Sequence, residues 1–240
     1  ASFELICRQR LPVEIVAVSA RDRTKDRGLN LAGLRWEEDP LALAAAEDID
    51  LVVETMGGSE GPARKLTEAA LAAGKHVVTA NKALLAEHGA ALAKLAAEHN
   101  VVLAYEAAVA GGIPVIKTLR EGLAANRYHK IIGILNGTSN FILTHMETTG
   151  VGFDAALAEA ARLGYAEADP SYDIDGIDTA QKLSLLTALA FGSAPNLEAI
   201  PVEGIRHLTH LDMQFADELG YSIKLLGIAC RREDGRVEQR

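Results

Sequence analysis

The chain has 240 residues, 49% hydrophobic and 24% charged, as expected for a globular protein of one large domain or two smaller ones. Its formal net charge of -9 opposes binding to nucleic acid, and no apolar run approaches the ~20 residues needed to span a bilayer. We therefore expect no nucleic-acid partner and no membrane partner. Cys7 and Cys230 are too few for a disulfide framework, which favours a reducing, cytoplasmic location.

The first half of the chain alternates short runs of β-branched residues with longer runs rich in alanine and leucine. This rhythm predicts a parallel sheet whose strands are joined by helices and whose two faces are both covered. In addition, Gly74 is placed to end a helix. In chain order, we predict strands at residues 13–19, 49–55, 76–79 and 101–105, and helices at residues 59–73 and 83–99.

The pattern changes near Gly111, and we place a domain boundary there. Residues 1–111 are expected to form a dinucleotide-binding domain, and residues 112–240 an α+β domain for substrate binding and dimerisation. Residues 128–135 alternate like an antiparallel strand, which could lie in a dimer interface. The remaining elements predicted here are helices at residues 113–123, 139–147, 153–163, 178–191 and 208–219, and a strand at residues 223–231.

Both ends of the chain resemble interrupted elements. Phe3, Leu5 and Ile6 resemble the end of a helix, and residues 237–240 the start of a strand. A dinucleotide-binding fold normally begins with a strand and a G-x-G-x-x-G turn, which this sequence does not contain. We therefore predict a doubly wound α/β fold of the Rossmann type, whose N-terminal strand and Gly-rich turn are missing from the chain given. The second domain is expected to be truncated at its C-terminal end.

Polar residues follow several predicted strands, where ligands bind in an open parallel sheet. Ser19 and Arg21 open a basic loop after the first strand; basic side chains there suit the 2′-phosphate of NADP, but a solvated loop is an equal alternative. Residues 54–58 follow the next strand, and their two glycines would let the backbone approach a ligand closely. Lys82 follows the third strand, where a lysine either binds substrate or cofactor or is simply solvated.

The most informative segment runs from Gly164 to Lys182 and places five carboxylates before the lysine. Asp175, Asp178 and Lys182 are spaced i, i+3, i+7, so they would share one face of a helix. Acids at a helix start also stabilise its dipole, which is a structural alternative for both aspartates. A calcium loop is excluded, because Lys182 would occupy the position of the bidentate glutamate. Carboxylates suit an ammonium-bearing substrate, and a lysine with a pKa tuned by burial can act as a general acid or base.

Five stretches of the chain resemble the homoserine dehydrogenase family, in the family's order and from about Val13 onward. They are DLVVETMGG (50–58), TANK (79–82), YEAAVAGGIP (105–114), GILNGTSNF (133–141) and the acidic segment that ends at Lys182. The resemblance implies a homodimeric oxidoreductase that uses NAD or NADP. Its reaction would be the reversible interconversion of L-homoserine and L-aspartate 4-semialdehyde, on the route to threonine and methionine.

The resemblance also implies roles for residues of the substrate site. Lys182 corresponds to the proton donor to the aldehyde oxygen, and Lys82 to a second lysine near nicotinamide and substrate. Glu167 and Asp178 correspond to the carboxylates that bind the substrate. Asp173 corresponds to a supporting acid in the same pocket.

Further roles implied by the resemblance concern the cofactor and an ion. Thr55 and Gly164 correspond to cofactor contacts, in addition to the candidates Ser19 and Arg21. A structural monovalent cation, usually sodium, is also implied, since a turn with two glycines can direct several backbone carbonyls at one ion. The same turn could instead only organise the domain junction. The residues around this implied ion are Glu106, Val109, Gly111 and Ile113.

Two other functions are compatible with the same residues. One is a different Rossmann oxidoreductase that acts on an amino acid or its semialdehyde. The other is a non-catalytic protein in which the two domains dimerise or bind a metabolite. The carboxylates of the acidic segment favour homoserine, because they suit its ammonium group. The basic loop after Ser19 leaves both NAD and NADP open.

Overall fold

A computed structural model describes residues 13–240, which form two compact units. The first comprises the described residues up to Thr79 together with Ala91–Ala104, and the second comprises Ala80–Ala90 together with Tyr105–Arg240. The predicted helix end at residues 3–6, and Cys7, lie outside the described residues. Within residues 13–240, no helix combines the length and the apolar character needed to cross a membrane.

The first unit is built on parallel strands, as the sequence predicts. Two strands pair in parallel, β1 (Ala17–Ser19) and β2 (Arg35–Glu37). A separate parallel sheet contains, in this order, β3 (Leu51–Glu54), β4 (His76–Thr79) and β5 (Leu103–Ala104). Parallel neighbours require crossover connections, which helices provide between β3 and β4 and between β4 and β5. The helices are α1 (Leu41–Ala45), α2 (Pro62–Ala72) and α3 (Lys82–Glu98), of which α3 belongs to this unit only from Ala91 onward.

Helix α2 shows how the local sequence determines an element. It begins at Pro62, which needs no hydrogen-bond acceptor at the first helical position. Its buried residues recur every three to four positions, as expected for a helix with one face against a core. Gly74 follows the helix in the left-handed conformation (φ 76°), which confirms the predicted cap. The buried residues of α2 are Ala63, Leu66, Thr67, Ala70 and Leu71.

Strand β3 departs from the expectation of a sheet covered on both faces. Val52 and Glu54 are buried, whereas Leu51 and Val53, which point to the opposite side, are exposed. Within the described residues, therefore, only one side of this strand is covered. The expected cover of the other face is not seen among the described residues, and it stays a prediction at β3.

The second unit has an α+β architecture, as predicted. Its three-stranded antiparallel sheet has the order β6 (Lys130–Gly133), β7 (Gly227–Arg231) and β8 (Val237–Gln239). The antiparallel strand predicted at residues 128–135 is confirmed as β6. The helices of this unit are α4 (Val115–Lys117), α5 (Gly137–Thr149), α6 (Phe153–Arg162), α7 (Ser171–Ile174), α8 (Ile177–Phe191) and α9 (His210–Glu218), with a 3-10 turn at Glu106–Ala108.

Two apolar clusters form the core of the second unit. The larger one joins α5 and α6, where alanines allow the two helices to approach closely; its buried members include Ile142, Leu143, Met146, Ala156 and Ala160. The smaller one joins α8 to the central strand β7, and its buried members are Ala180, Leu183, Ile200 and Ala229. Helix α8 therefore packs against the antiparallel sheet. This packing fixes the position of the helix that carries Asp178 and Lys182.

In the second unit, two predicted elements differ most from the structure. The helix predicted at residues 113–123 begins only after Pro114 and continues from Thr118 as one wide π-helical turn, in which the Leu123 N–H donates to the Thr118 carbonyl at 2.8 Å. The strand predicted at residues 223–231 begins only at Gly227. The earlier part is not paired as a strand, because the backbone of Leu225 bonds to a side-chain amide instead.

Candidate active site

A buried aspartate lies at the centre of the polar residues of the second unit. Asp178 occupies the first turn of α8 and is 5% exposed. Lys182 lies one turn further along the helix, and its Nζ is 2.7 Å from Oδ2 of Asp178. Lys182 also donates to the backbone carbonyl of Leu135 at 2.8 Å. Two acceptors therefore fix the ammonium group of Lys182, which can donate three hydrogen bonds.

Lys82 contacts the other oxygen of the same carboxylate. It begins α3, within the segment Ala80–Ala90 that belongs to the second unit, and its Nζ is 3.0 Å from Oδ1 of Asp178. The preceding Asn81 accepts the Leu84 N–H with its side-chain oxygen at 3.1 Å, which anchors the start of the helix. The carboxylate is thus enclosed, while the side chains of Lys82 and Lys182 remain 33% and 19% exposed.

Asn136 is a member of this site that the sequence reasoning missed. Its Nδ2 donates to Oδ1 of Asp173 at 2.7 Å and to Oδ2 of Asp178 at 2.9 Å. Its Oδ1 accepts the Ser139 N–H at 2.8 Å and so caps α5. The available signal was an asparagine three residues before the helix predicted at residues 139–147; the helix in fact begins at Gly137, which puts Asn136 at the favoured capping position. That signal predicts the cap but not the two carboxylates.

The environment of Asp178 determines its charge. Burial raises the pKa of Asp178, but hydrogen bonds from Asn136, Lys182 and Lys82 outweigh burial and hold the pKa below its ordinary value of 3.8. The carboxylate is therefore ionised at neutral pH. A buried charge is tolerated where it is paired and hydrogen-bonded, which is the case here.

The other acids of the segment occupy different environments. Asp173 is half-buried and bound by Asn136, whereas Glu167 is exposed. Within the part of the chain that the structure describes, no hydrogen bond or ion pair joins Glu167 to Asp178 or to either lysine. Gly164 follows α6 in the left-handed conformation (φ 79°) and is also exposed.

The predicted shared helical face is wrong for Asp175. Helix α8 begins at Ile177, and Gly176 before it has a φ of 83°, which turns the chain. The carboxylate of Asp175 therefore points elsewhere and forms an ion pair with Arg206. Asp178 and Lys182, which are inside the helix, do lie together as predicted.

The turn after β3 is held by a second buried acid. Glu54 is 1% exposed; its Oε1 accepts the N–H groups of Met56 at 2.6 Å and Gly57 at 3.2 Å, and its Oε2 accepts the Thr79 hydroxyl at 2.6 Å. The side chain thus ties the turn to the end of the neighbouring strand β4. Thr55 is exposed on this turn. The sequence reasoning included Glu54 in a motif but gave it no role.

The same turn exposes backbone to solvent. Gly57 and Gly58 have φ values of 79° and 82°, a conformation that glycine adopts without strain. A side chain added at Gly57 would meet no atom within 4 Å, so a ligand can approach the backbone there. This open, fixed turn at the carboxyl end of a parallel strand fits a dinucleotide.

The basic loop after β1 is ordered by contacts with one tryptophan. Ser19 is the last residue of β1, and the exposed Arg21 lies two positions further along the chain. The guanidinium groups of Arg23 and Arg27 lie 5.8 Å and 5.7 Å from the ring centre of Trp36 in β2. Arg27 also donates to two backbone carbonyls of the loop. Arg21 is therefore presented from a loop with a defined shape.

The carboxylate of Glu106 accepts two backbone hydrogen bonds within this chain. Its two carboxylate oxygens accept the N–H groups of Ile116 at 2.9 Å and Lys117 at 2.8 Å, at the start of α4. This supports the alternative in which the turn organises the local backbone, and leaves the implied cation a prediction. Of the other residues around that implied ion, Val109 is fully buried, and Gly111 and Ile113 are exposed.

Parallel strands, crossover helices and a fixed glycine turn place the first unit in the class of Rossmann-like dinucleotide-binding proteins. Comparison with known proteins makes the assignment specific. Residues 2–106 match the family model described as homoserine dehydrogenase, NAD binding domain, and residues 114–240 match the model described as homoserine dehydrogenase. The chain belongs to the homoserine dehydrogenase family.

Individual relatives agree with this assignment. The chain is 52% identical to the homoserine dehydrogenase of Neisseria gonorrhoeae over 228 residues, which is 95% of this chain and 52% of that protein. It is 48% identical to a solved homoserine dehydrogenase from Thiobacillus denitrificans, with a TM-score of 0.92, covering 100% of this chain and 57% of that one. A hyperthermophilic archaeal homoserine dehydrogenase in complex with NADPH is 30% identical, with a TM-score of 0.69, covering 84% and 58%. The chain spans about half the length of the curated relatives it matches.

Proposed function

We propose that the protein carrying this chain oxidises L-homoserine to L-aspartate 4-semialdehyde, and reduces it back, with NAD or NADP. The observation that carries this proposal is the pair of lysines on one buried carboxylate, Lys82 and Lys182 on Asp178. They lie in the unit that contains the match to the homoserine dehydrogenase model. Paired cations of this kind suit an oxygen atom that gains negative charge during reduction.

Lys182 is the proposed proton donor. Asp178 and the Leu135 carbonyl take two of the three hydrogens of its ammonium group, which leaves one for a substrate oxygen. In reduction the lysine gives this proton to the carbonyl oxygen, and in oxidation the neutral amine takes it from the hydroxyl. Lys82 adds positive charge at the same place and is also proposed to contact the cofactor.

The substrate's ammonium group is proposed to lie against acids of the segment around Asp178. Glu167 is exposed, and Asp173 is half-buried. Asp178 already binds two lysines, so its proposed part is to hold the lysines, and the ammonium group is proposed to lie against Glu167 and Asp173. Carboxylates attract an ammonium group, whereas a substrate without one gains less.

The cofactor accepts or supplies the hydride at the terminal carbon of the substrate when it is bound. Thr55 and the glycines after it are proposed to bind it, with Gly164 as a further contact. Ser19 and Arg21 are proposed to bind the adenosine end, and the exposed arginine favours NADP through its 2′-phosphate. The support for these contacts is the fixed turn after β3 and the ordered basic loop after β1.

We further propose a cytoplasmic homodimer in the route to threonine and methionine, divided near residue 111 into dinucleotide-binding and substrate domains. The two family models end at residue 106 and begin at residue 114, which supports this division. A structural monovalent cation near Glu106 remains part of the proposal. The net charge of -9 supports the absence of nucleic acid among its partners.

The direct test is an assay of homoserine-dependent reduction of NAD and of NADP by the full-length gene product. Reduction that requires homoserine supports the proposed activity, and the ratio of the two rates gives the cofactor preference. A folded protein that reduces neither dinucleotide with homoserine, but does so with another amino acid, would contradict the proposed substrate. It would favour the broader class of amino-acid or semialdehyde oxidoreductases.

A further inference from the structure

The side-chain amide of Asn136 forms hydrogen bonds with the start of α5 and with two carboxylates. We propose that Asn136 is a positioning residue: it holds Asp173 and Asp178 in register and so keeps the Asp178 carboxylate where both lysines reach it. This inference rests on the proposed function, because it assigns Asn136 a part in the same reaction. It differs from the simpler interpretation that Asn136 is only the cap of α5.

The two hydrogens of the amide are fully used by the two acids. They go to Oδ1 of Asp173 in α7 and to Oδ2 of Asp178 in α8, at 2.7 and 2.9 Å. These carboxylates lie on different helices and carry like charge, so they repel each other and have no attraction of their own that would bring them together. A donor placed between them offsets their repulsion and fixes their separation.

Asn136 can impose this geometry because it is itself fixed. It is 4% exposed, and its Oδ1 is held by the Ser139 N–H. Its backbone carbonyl accepts from the side chain of Asn140 at 2.9 Å, and Asn140 also bonds the backbone of Leu225 through both side-chain atoms. The Ser139 hydroxyl adds a bond to the Asp173 carbonyl at 2.9 Å. A chain of buried and part-buried hydrogen bonds thus connects the carboxylates to the rest of the unit.

The capping role and the positioning role can be separated chemically. In Asn136→Ser, the hydroxyl can still cap the helix, but it is too short to reach either carboxylate. In Asn136→Asp, the shape and the cap are kept, but an acceptor replaces the donor and adds a third negative charge. Thr209→Ala is the matched control, because Thr209 caps α9 in the same way, through the N–H of Asp212, without contacting the site.

The experiment compares these variants in the full-length gene product by steady-state kinetics and thermal unfolding. We expect Asn136→Ser to lower kcat/KM for homoserine about 10- to 100-fold, the range typical of residues that orient a site. Asn136→Asp should lower it further at neutral pH. In both variants the KM for the dinucleotide should stay near that of the wild type. Thr209→Ala should lower the melting temperature without changing the kinetics.

A second readout does not depend on the reaction. Hydrogen bonds from Asn136, Lys182 and Lys82 lower the pKa of Asp178, and Asp173 is the adjacent acid. Carboxyl NMR titration of 13C-labelled aspartate, assigned with Asp178→Asn, should therefore show a raised pKa for Asp178 in Asn136→Ser. A raised pKa in a protein that does not oxidise homoserine would support the positioning role and reject the proposed activity. Unchanged titration and unchanged kinetics in Asn136→Ser would overturn the inference and leave Asn136 a helix cap.

Discussion

Asp178 and Lys182 lie one turn apart at the start of one helix, with their charged groups 2.7 Å from each other. The position suits the acid, because the first turn of a helix stabilises negative charge. It suits the lysine because the paired carboxylate stabilises its charge in a partly buried setting. Since Lys82 occupies the second oxygen, one carboxylate orients two ammonium groups from two helices. Substitutions at this site can therefore change the positions of the two ammonium groups as well as remove the group that transfers a proton.

The first prediction concerns Lys182→Ala. Loss of the proton donor should lower kcat for homoserine oxidation by about 10²- to 10⁴-fold, the usual contribution of general acid–base catalysis. The KM for the dinucleotide should change little, because the nearest contacts of Lys182 are Asp178 and the Leu135 carbonyl. Steady-state kinetics with homoserine and each dinucleotide measures both quantities.

Lys224→Ala is the matched control for that substitution. Lys224 lies in the same unit, is partly buried, and forms a comparable ion pair with Glu147 at 3.1 Å. Its loss should affect stability slightly and leave kcat unchanged. If the two alanine variants lowered turnover equally, or if Lys182→Ala retained nearly normal turnover, Lys182 would not be the proton donor.

The second prediction concerns the pH dependence of stability at Asp178. Its pKa in the folded protein is below the ordinary 3.8, so the carboxylate stabilises the fold above that pH. The stabilisation is lost as the pH falls through the folded-state pKa. Asp178→Asn should therefore lower the free energy of unfolding by about 2 kcal/mol at pH 7, the typical value of a hydrogen bond to a charged group. The difference from wild type should shrink below pH 3.8.

Asp154→Asn separates this effect from a general helix-dipole effect. Asp154 is an exposed acid in the first turn of α6. Its substitution should cost less than 1 kcal/mol, as roughly estimated for a dipole interaction alone. Urea unfolding at several pH values would measure both variants. Equal losses for the two substitutions would show that the lysine cluster adds nothing to the stability of Asp178.

The sequence predicts an element of this structure well when the residues of that element carry the signal themselves. The run His76–Thr79 is predicted to the residue, because its Val-Val-Thr after a glycine cap is a strong strand signal, although the strand pairs with the distant β3 and β5. Arg35–Glu37 is missed, since Arg-Trp-Glu has no apolar alternation and becomes a strand only beside β1. Both strands pair with partners elsewhere in the chain, so the difference lies in the residue types of each run and not in the distance to the partner strand.

The same distinction applies to the candidate site. Asp178 and Lys182 are predicted to lie together by their spacing, and they do. Nothing in their spacing predicts that Lys82, almost a hundred positions earlier, contacts the same carboxylate; that residue entered through the family resemblance. The buried bonds of Glu54 and Asn136 join residues up to 42 positions apart and have no periodic signature. Long-range hydrogen bonds of this kind become visible only in the folded chain.

The third prediction concerns Glu54 and the turn that it holds. Glu54→Ala removes the acceptor for the Met56 and Gly57 N–H groups, so the turn should lose its fixed shape. We expect the KM for the dinucleotide to rise about tenfold, which corresponds to ~1.4 kcal/mol. The KM for homoserine should be nearly unchanged. Glu68→Ala, which removes an acid paired with Arg64 on the surface of the same unit, is the control.

Glu54→Gln tests the mechanism behind that effect. Its carbonyl oxygen can accept from the two backbone N–H groups, and its amide can donate to the Thr79 hydroxyl oxygen. The glutamine variant should therefore bind the dinucleotide almost as the wild type does. If alanine and glutamine raised the KM equally, the carboxylate charge, and not the hydrogen bonds to the turn, would be the important property.

The fourth prediction concerns Arg21 and the choice of dinucleotide. If the exposed arginine after β1 binds the 2′-phosphate, Arg21→Ala should raise the KM for NADP roughly fivefold, the equivalent of about 1 kcal/mol for an exposed ion pair. The KM for NAD, which has no such phosphate, should stay within about twofold. Lys65→Ala, another exposed cation of the first unit, controls for the loss of charge. Equal weakening of NAD and NADP would reject the role of Arg21 in cofactor choice.

The last prediction concerns Gly204, which packs against the turn before α8. A methyl group at this position would lie 2.6 Å from the Ile174 carbonyl oxygen and 2.7 Å from the Asp175 Cα, both of which are backbone atoms that cannot rotate away. Gly204→Ala should therefore cost about 2 kcal/mol, as overpacking typically does. It should also lower kcat/KM for homoserine, because the displaced turn leads directly into the helix that carries Asp178. Gly152→Ala is the control, since a side chain there would meet no atom within 4 Å. Thermal unfolding and kinetics of the two variants would decide the point: equal stability would contradict the close packing, and a destabilised protein with normal kinetics would show that this turn does not position the site.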